Sequence, residues 1–77
     1  MSVYPRLALA ARTQGSVVLE AVIAEDGSVR DVRVLKSIPL LDRPAMDAVR
    51  QWRFTPTILN DKAVSVLMSV TVQFFLE

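Results

Sequence analysis

"VSVLMSVTVQFFL", residues 64–76, is the stretch whose reading decides the fold. Every even position is apolar: Val64, Val66, Met68, Val70, Val72, Phe74 and Leu76. The odd positions, Ser65, Leu67, Ser69, Thr71, Gln73 and Phe75, are mixed. A period of two with β-branched residues throughout predicts one long, half-buried strand with its even side chains turned inward. It contains no Pro, Lys or Gly, so nothing in it blocks a sheet edge.

Working back from that strand, "ILND", residues 58–61, reads as a connecting loop. Before it, "LDRPAMDAVRQWRF", residues 41–54, reads as a helix. Asp42 is the expected N-cap, Pro44 falls in the first turn, and Leu41 with Met46 forms a hydrophobic staple. Ala45, Ala48, Val49 and Trp52 recur at helical spacing, with Arg43, Asp47, Arg50 and Gln51 opposite. Pro56 biases Thr55 away from helix, so the helix is expected to end around residues 52–54.

Two strands precede this helix. Residues 16–24 place Val17, Leu19, Ala21 and Ile23 on one face and Val18, Val22 and Ala24 on the other, which suits a central strand. Residues 29–37 carry Arg30, Asp31, Arg33 and Lys36, which suits an edge. Val29 is out of phase with Val32 and Val34, so a bulge is expected near Arg30 and Asp31. "EDGS", residues 25–28, joins them, with Asp26-Gly27 suited to positive φ. At the N-terminus Tyr4-Pro5 opens a short helix with Leu7, Ala8, Ala10 and Ala11 on its apolar side. Gly15 marks either the end of that helix or the strand entry.

The order is α-β-β-α-β. Connection rules turn it into an α+β fold: a three-stranded antiparallel sheet, order 2-1-3, with two helices packed on one face. Residues 1–77 are read as a single domain. The last strand is left on an open edge.

Composition removes several functions. The chain has no Cys and no His, which excludes disulfides, thiolate or imidazole metal sites, and Ser-His or Cys-His nucleophiles. The carboxylates show no pairing suited to acid–base or Mg²⁺ chemistry, so neither enzyme activity nor a cofactor is expected. Net charge is +1, too small for a dedicated nucleic-acid binder. No run reaches the ~20 apolar residues of a membrane span, and the first fifteen residues read as no signal peptide. "AVRQWRFTP", residues 48–56, holds the only Trp between two arginines. Its helical spacing makes Trp52 a core anchor rather than a stacking platform for bases, and Phe54 then turns the chain toward the last strand.

In this order, Tyr4-Pro5, Gly15, "DGSV" at 26–29, "WRFTP" at 52–56 and the closing strand resemble the C-terminal domain of TonB energy transducers over nearly the whole chain. The resemblance implies a periplasmic domain of a parent anchored in the inner membrane. That parent works with a proton-driven complex through an N-terminal helix and a Pro-rich linker, both missing from this sequence. It further implies that the domain captures the short TonB box of an outer-membrane transporter by adding it as a strand. The polar run that often precedes Tyr-Pro in the family is also missing here. Partner contact is then expected at Ser65, Val66, Leu67, Met68, Ser69, Val70, Thr71, Val72 and Gln73, with Tyr4 and Pro5 as helix entry or as one wall of the cleft. Trp52, Phe54, Gly15, Gly27 and Asp42 are expected to be structural. The same open edge suits a rival use, a homodimer pairing strand to strand.

Overall fold

The computed structural model describes residues 4–76. Its elements run α1 (Arg6–Ala10), β1 (Gly15–Ile23), β2 (Val29–Lys36), α2 (Pro39–Arg50), β3 (Thr57–Leu59), β4 (Lys62–Val64) and β5 (Val66–Phe74). β1 pairs antiparallel with β2 on one side and with β5 on the other. The sheet order is therefore β2-β1-β5, as the alternation and connection rules require.

One face of this sheet makes the core. Val17, Leu19, Ala21 and Ile23 of β1 join Val32 of β2 and Val70, Val72 and Phe74 of β5 against Ala8, Leu41, Ala45 and Val49 of the helices. Leu19, Leu41, Val17 and Val49 are fully enclosed. Burial of each such side chain is worth ~1.5–3 kcal/mol. Trp52 and Phe54 are half-buried against this core, their rings tilted at 57° with centroids 6.3 Å apart. Trp52 thus packs on the core margin; it is not enclosed by it.

The first hairpin is tied directly to the segment "WRFTP", residues 52–56. The Gly27 N–H donates to the Ala24 carbonyl at 2.9 Å, and the Ala24 N–H donates to the Ser28 carbonyl at 2.8 Å. This is a three-residue loop closed by a glycine, and Gly27 alone of the Asp-Gly pair takes positive φ, at +90°. Asp26 Oδ1 accepts hydrogen bonds from the Ser28 hydroxyl and the Ser28 N–H. The hydroxyl bond first, then the N–H bond, hold the Asp26 carboxyl below its ordinary pKa, and Arg53 adds a smaller charge effect. A Cβ on Gly27 would lie 1.9 Å from the Phe54 carbonyl oxygen. The Phe54 N–H donates to the Gly27 carbonyl at 2.9 Å, and Arg53 bridges Ser28. The hairpin turn and the segment after α2 are one interlock.

β2 carries the expected bulge: Val22 faces Asp31 and Ile23 faces Val29, leaving Arg30 over. A second irregularity leaves out Leu35, between Val34 opposite Leu19 and Lys36 opposite Val18.

Four expectations about α2 are corrected. Asp42 is not the N-cap of α2, because the helix starts earlier, at Pro39. Ile38 occupies the cap position with extended backbone, as a residue before proline prefers. Asp42 is the fourth helical residue, and its carboxylate accepts from the Ile38 N–H at 2.8 Å and from the Ser37 hydroxyl. It caps from inside, reaching back to the cap residue's N–H as a capping-box acid does, but from one position later and with no reciprocal cap side chain. Leu41 is consequently a buried helical residue in phase with Ala45 and Val49, not a staple before the cap, and Pro44 lies inside the helix. That phase wins because it buries one more leucine. α2 also ends at Arg50, short of residues 52–54.

In α1 only Ala8 is buried, while Leu7 is 70% exposed. The helix closes with Thr13 N–H to Ala8 carbonyl and Arg12 N–H to Leu9 carbonyl, Arg12 taking φ +53°. That is the paired closure usually given to glycine; Gly15 instead begins β1. Residues 58–61 are not a loop. They belong to a hairpin of β3 and β4 that turns through Asn60 at φ +51° and Asp61 at φ +65°. The long strand predicted over 64–76 is correspondingly interrupted at Ser65 and stops at Phe74.

Candidate functional site

β5 pairs with β1 in an unbroken register, from Gly15 opposite Phe74 to Ile23 opposite Val66. No strand lies on its other side among the described residues. The direction of its backbone groups follows from two hydrogen bonds. The Ala24 N–H reaches Ser28 across the β1–β2 hairpin, so even-numbered β1 residues turn their polar groups to β2 and odd-numbered ones to β5. The Ile23 carbonyl agrees, accepting the Ser65 hydroxyl at 2.8 Å on the β5 side. Residues directly opposite share this direction, and odd β1 residues face even β5 residues. Val66, Met68, Val70, Val72 and Phe74 therefore bond to β1. Leu67, Ser69, Thr71 and Gln73 present their N–H and C=O groups to the open edge.

Side chains along this edge divide by face. Val70, Val72 and Phe74 are buried beneath the helices, but the start of the strand runs beyond that cover. Val66 is only half-buried, and Met68, expected inward, is 37% exposed. On the sheet face away from the helices, Leu67 is 68% exposed beside half-buried Val22. No charged residue occurs in β5. The edge offers paired backbone donors and acceptors with apolar surface on both faces at its start. It has the groups to pair with an extended backbone, and β5 carries no charged side chain.

The other site residues are placed as follows. Ser65 sits between β4 and β5 with its hydroxyl committed to Ile23. The Tyr4 ring meets Phe74 edge-on at 5.4 Å, and its hydroxyl donates to the Thr13 carbonyl. Tyr4 is thereby fixed at the far end of β5 as packing. Pro5 is the N-cap residue of α1, with extended backbone. Trp52 and Phe54 lie at the hairpin interlock, away from the outward groups of β5. What the sequence reading missed is the β3–β4 hairpin. Asn-Asp between Leu59 and Lys62, both residues tolerant of positive φ, was its available signal.

Residues 2–76 match the family described as Gram-negative bacterial TonB protein C-terminal. The chain belongs to this family. It is 37% identical over 75 residues to Protein TonB of Pseudomonas aeruginosa, covering 95% of this chain and 21% of that protein. It is 39% identical over 75 residues to Protein TonB of Xanthomonas campestris pv. campestris, covering 95% of this chain and 34% of that protein. The chain thus spans about a fifth to a third of these relatives. The solution NMR structure of the Pseudomonas aeruginosa TonB CTD superposes with a TM-score of 0.81 at 34% identity, covering 100% of this chain and 80% of that one.

Proposed function

We propose that this chain is the periplasmic adaptor domain of a TonB-type energy transducer, and that β5 captures the TonB box of an outer-membrane transporter as an added strand. The observation that carries the reading is the edge: four residues, Leu67, Ser69, Thr71 and Gln73, aim backbone groups outward from an unbulged, uncharged strand. Family membership supplies the partner class. On this reading the domain is no enzyme and binds neither cofactor nor nucleic acid. An N-terminal helix of the parent protein engages the inner-membrane proton-driven complex. Capture orders a flexible peptide at a cost of ~2–5 kcal/mol, so the affinity is modest.

Thr71→Pro tests it. The Thr71 N–H points away from β1, so proline there costs no internal ladder bond while blocking an added strand. Titration with a TonB-box peptide is expected to show binding lost in a variant that keeps its circular dichroism and melting cooperativity. Undiminished binding by that folded variant refutes strand addition at β5.

The same edge suits a second copy of the chain, since exposed Leu67 and Met68 flank it with no guarding charge in β5. Sedimentation across concentrations separates the two uses. A tight dimer that excludes the peptide favours self-pairing; a monomer that binds peptide favours capture.

A further inference from the structure

Resting on the capture reading, we infer that the binding edge does not stop at β5 but continues along β4, so that the β3–β4 hairpin is a second subsite for the same extended peptide. Positive φ at both Asn60 and Asp61 defines a two-residue turn whose flanking pair, Leu59 and Lys62, is hydrogen-bonded. Alternation then makes Thr57 and Val64 the next bonded pair. In β4, as in β5, the even-numbered residues therefore face an internal partner. The chain passes through Ser65 without a turn or positive φ, and the Ser65 hydroxyl pins the junction to Ile23. β3 consequently lies on the same side as β1. The opposite side is one open edge, on which Ala63 extends the outward series Leu67, Ser69, Thr71 and Gln73.

From residue 62 to 74 this edge measures about 40 Å at ~3.3 Å per residue, against a longest molecular dimension of 49 Å. The hairpin also has a physical need for a third strand. A two-stranded hairpin is marginal alone and gains stability from a third strand with an apolar face. Ile58 and Leu59 are 61% and 60% exposed, so the arm buries little by itself. The occupant is a continuation of the captured peptide, extended and apolar at alternate positions, with no basic residue where it passes exposed Lys62 at the hairpin end.

Fluorescein-labelled peptides of alternating threonine and valine, six and twelve residues long, test this with hydrogen exchange read at single amides. The longer probe is expected to bind about tenfold more tightly, and to slow exchange at Ala63 as well as at Ser69 and Thr71. Ala63→Pro is expected to reduce the longer probe to the affinity of the shorter and to leave the shorter unchanged. Equal affinities, with protection confined to β5, overturn the second subsite and leave capture at β5 standing. No protection of β5 amides by either probe overturns both.

Discussion

The two edges of this sheet are built in opposite ways. β2 carries two register irregularities, at Arg30 and Leu35, and displays Arg30, Asp31, Arg33 and Lys36. Arg33 pairs with Glu20 at 2.9 Å and Arg30 with Glu25 at 3.3 Å. Bulges and charges of this kind deter a further strand. β5 has an unbroken register with β1, no charge and exposed apolar neighbours. Had both edges simply lacked selection against pairing, they would share a composition. The chain thus carries edge protection on β2 and none on β5, a contrast that supports the proposed use of β5.

The largest effect expected from disturbing this contrast comes from the hairpin that holds the guarded strand. Gly27→Val puts a branched side chain at φ +90° and directly onto the Phe54 carbonyl. Backbone, not a flexible side chain, is in the way, so either the β1–β2 turn or the chain after α2 must shift. A loss of about 3 kcal/mol or more is expected, read from the denaturant midpoint, together with broadened resonances across β2 and residues 52–56. A variant as stable as the parent refutes the interlock.

Exchanging the character of the edges comes next. Thr71→Lys places on β5 the kind of charge that β2 carries, on an exposed side chain. Peptide affinity is expected to fall about tenfold, ~1.4 kcal/mol, with folding stability changed by less than ~0.5 kcal/mol. Arg33→Thr, the reverse exchange, loses an exposed ion pair worth at most ~1 kcal/mol and is expected to increase self-association in sedimentation. If both variants leave association unaltered, the charges on β2 are not guards.

Smaller again is the effect of perfecting the β3–β4 turn. Asp61 holds φ +65°, a conformation that costs an ordinary residue roughly 1 kcal/mol and glycine nothing. Asp61→Gly is expected to stabilise the hairpin by ~0.5–1 kcal/mol, seen as slower amide exchange at Leu59 and Lys62. Faster exchange there contradicts the two-residue turn.

Much of this architecture was legible in the residues. Alternation in 64–76 placed β5, two apolar faces placed β1 centrally, and the phase break at Val29 located a bulge. The failures have local causes. Asp42-Arg43-Pro44 imitates a helix start so well that Pro39, the actual first helical residue, is obscured; only the burial of Leu41 decides between them. Residues 58–61 hide a turn because Asn-Asp lacks the glycine that usually announces one. Even-numbered apolar residues predict burial only where a helix lies above them, and no strand-local pattern says that cover ends before Met68. The candidate edge was legible for the same reason as the core: one alternation specifies both the inward side chains and, once β1 is placed beside it, the outward backbone.

The finest difference between the edges is their response to acid. The guarded side contains Asp26, whose carboxyl is held below its ordinary pKa by the Ser28 hydroxyl and N–H, whereas β5 contains nothing that titrates. A carboxyl with a lowered folded pKa contributes its stabilisation in full above the unfolded value of about 3.9. That contribution is lost as pH falls through the lowered folded value. The melting temperature of the parent is therefore expected to drop on acidification below pH ~4 more steeply than that of Asp26→Asn, whose amide does not titrate. At neutral pH the substitution is expected to leave peptide affinity unchanged, because the turn and the outward groups of β5 lie on different strands. Superimposable acid limbs for the two proteins refute the assignment of this titration to Asp26.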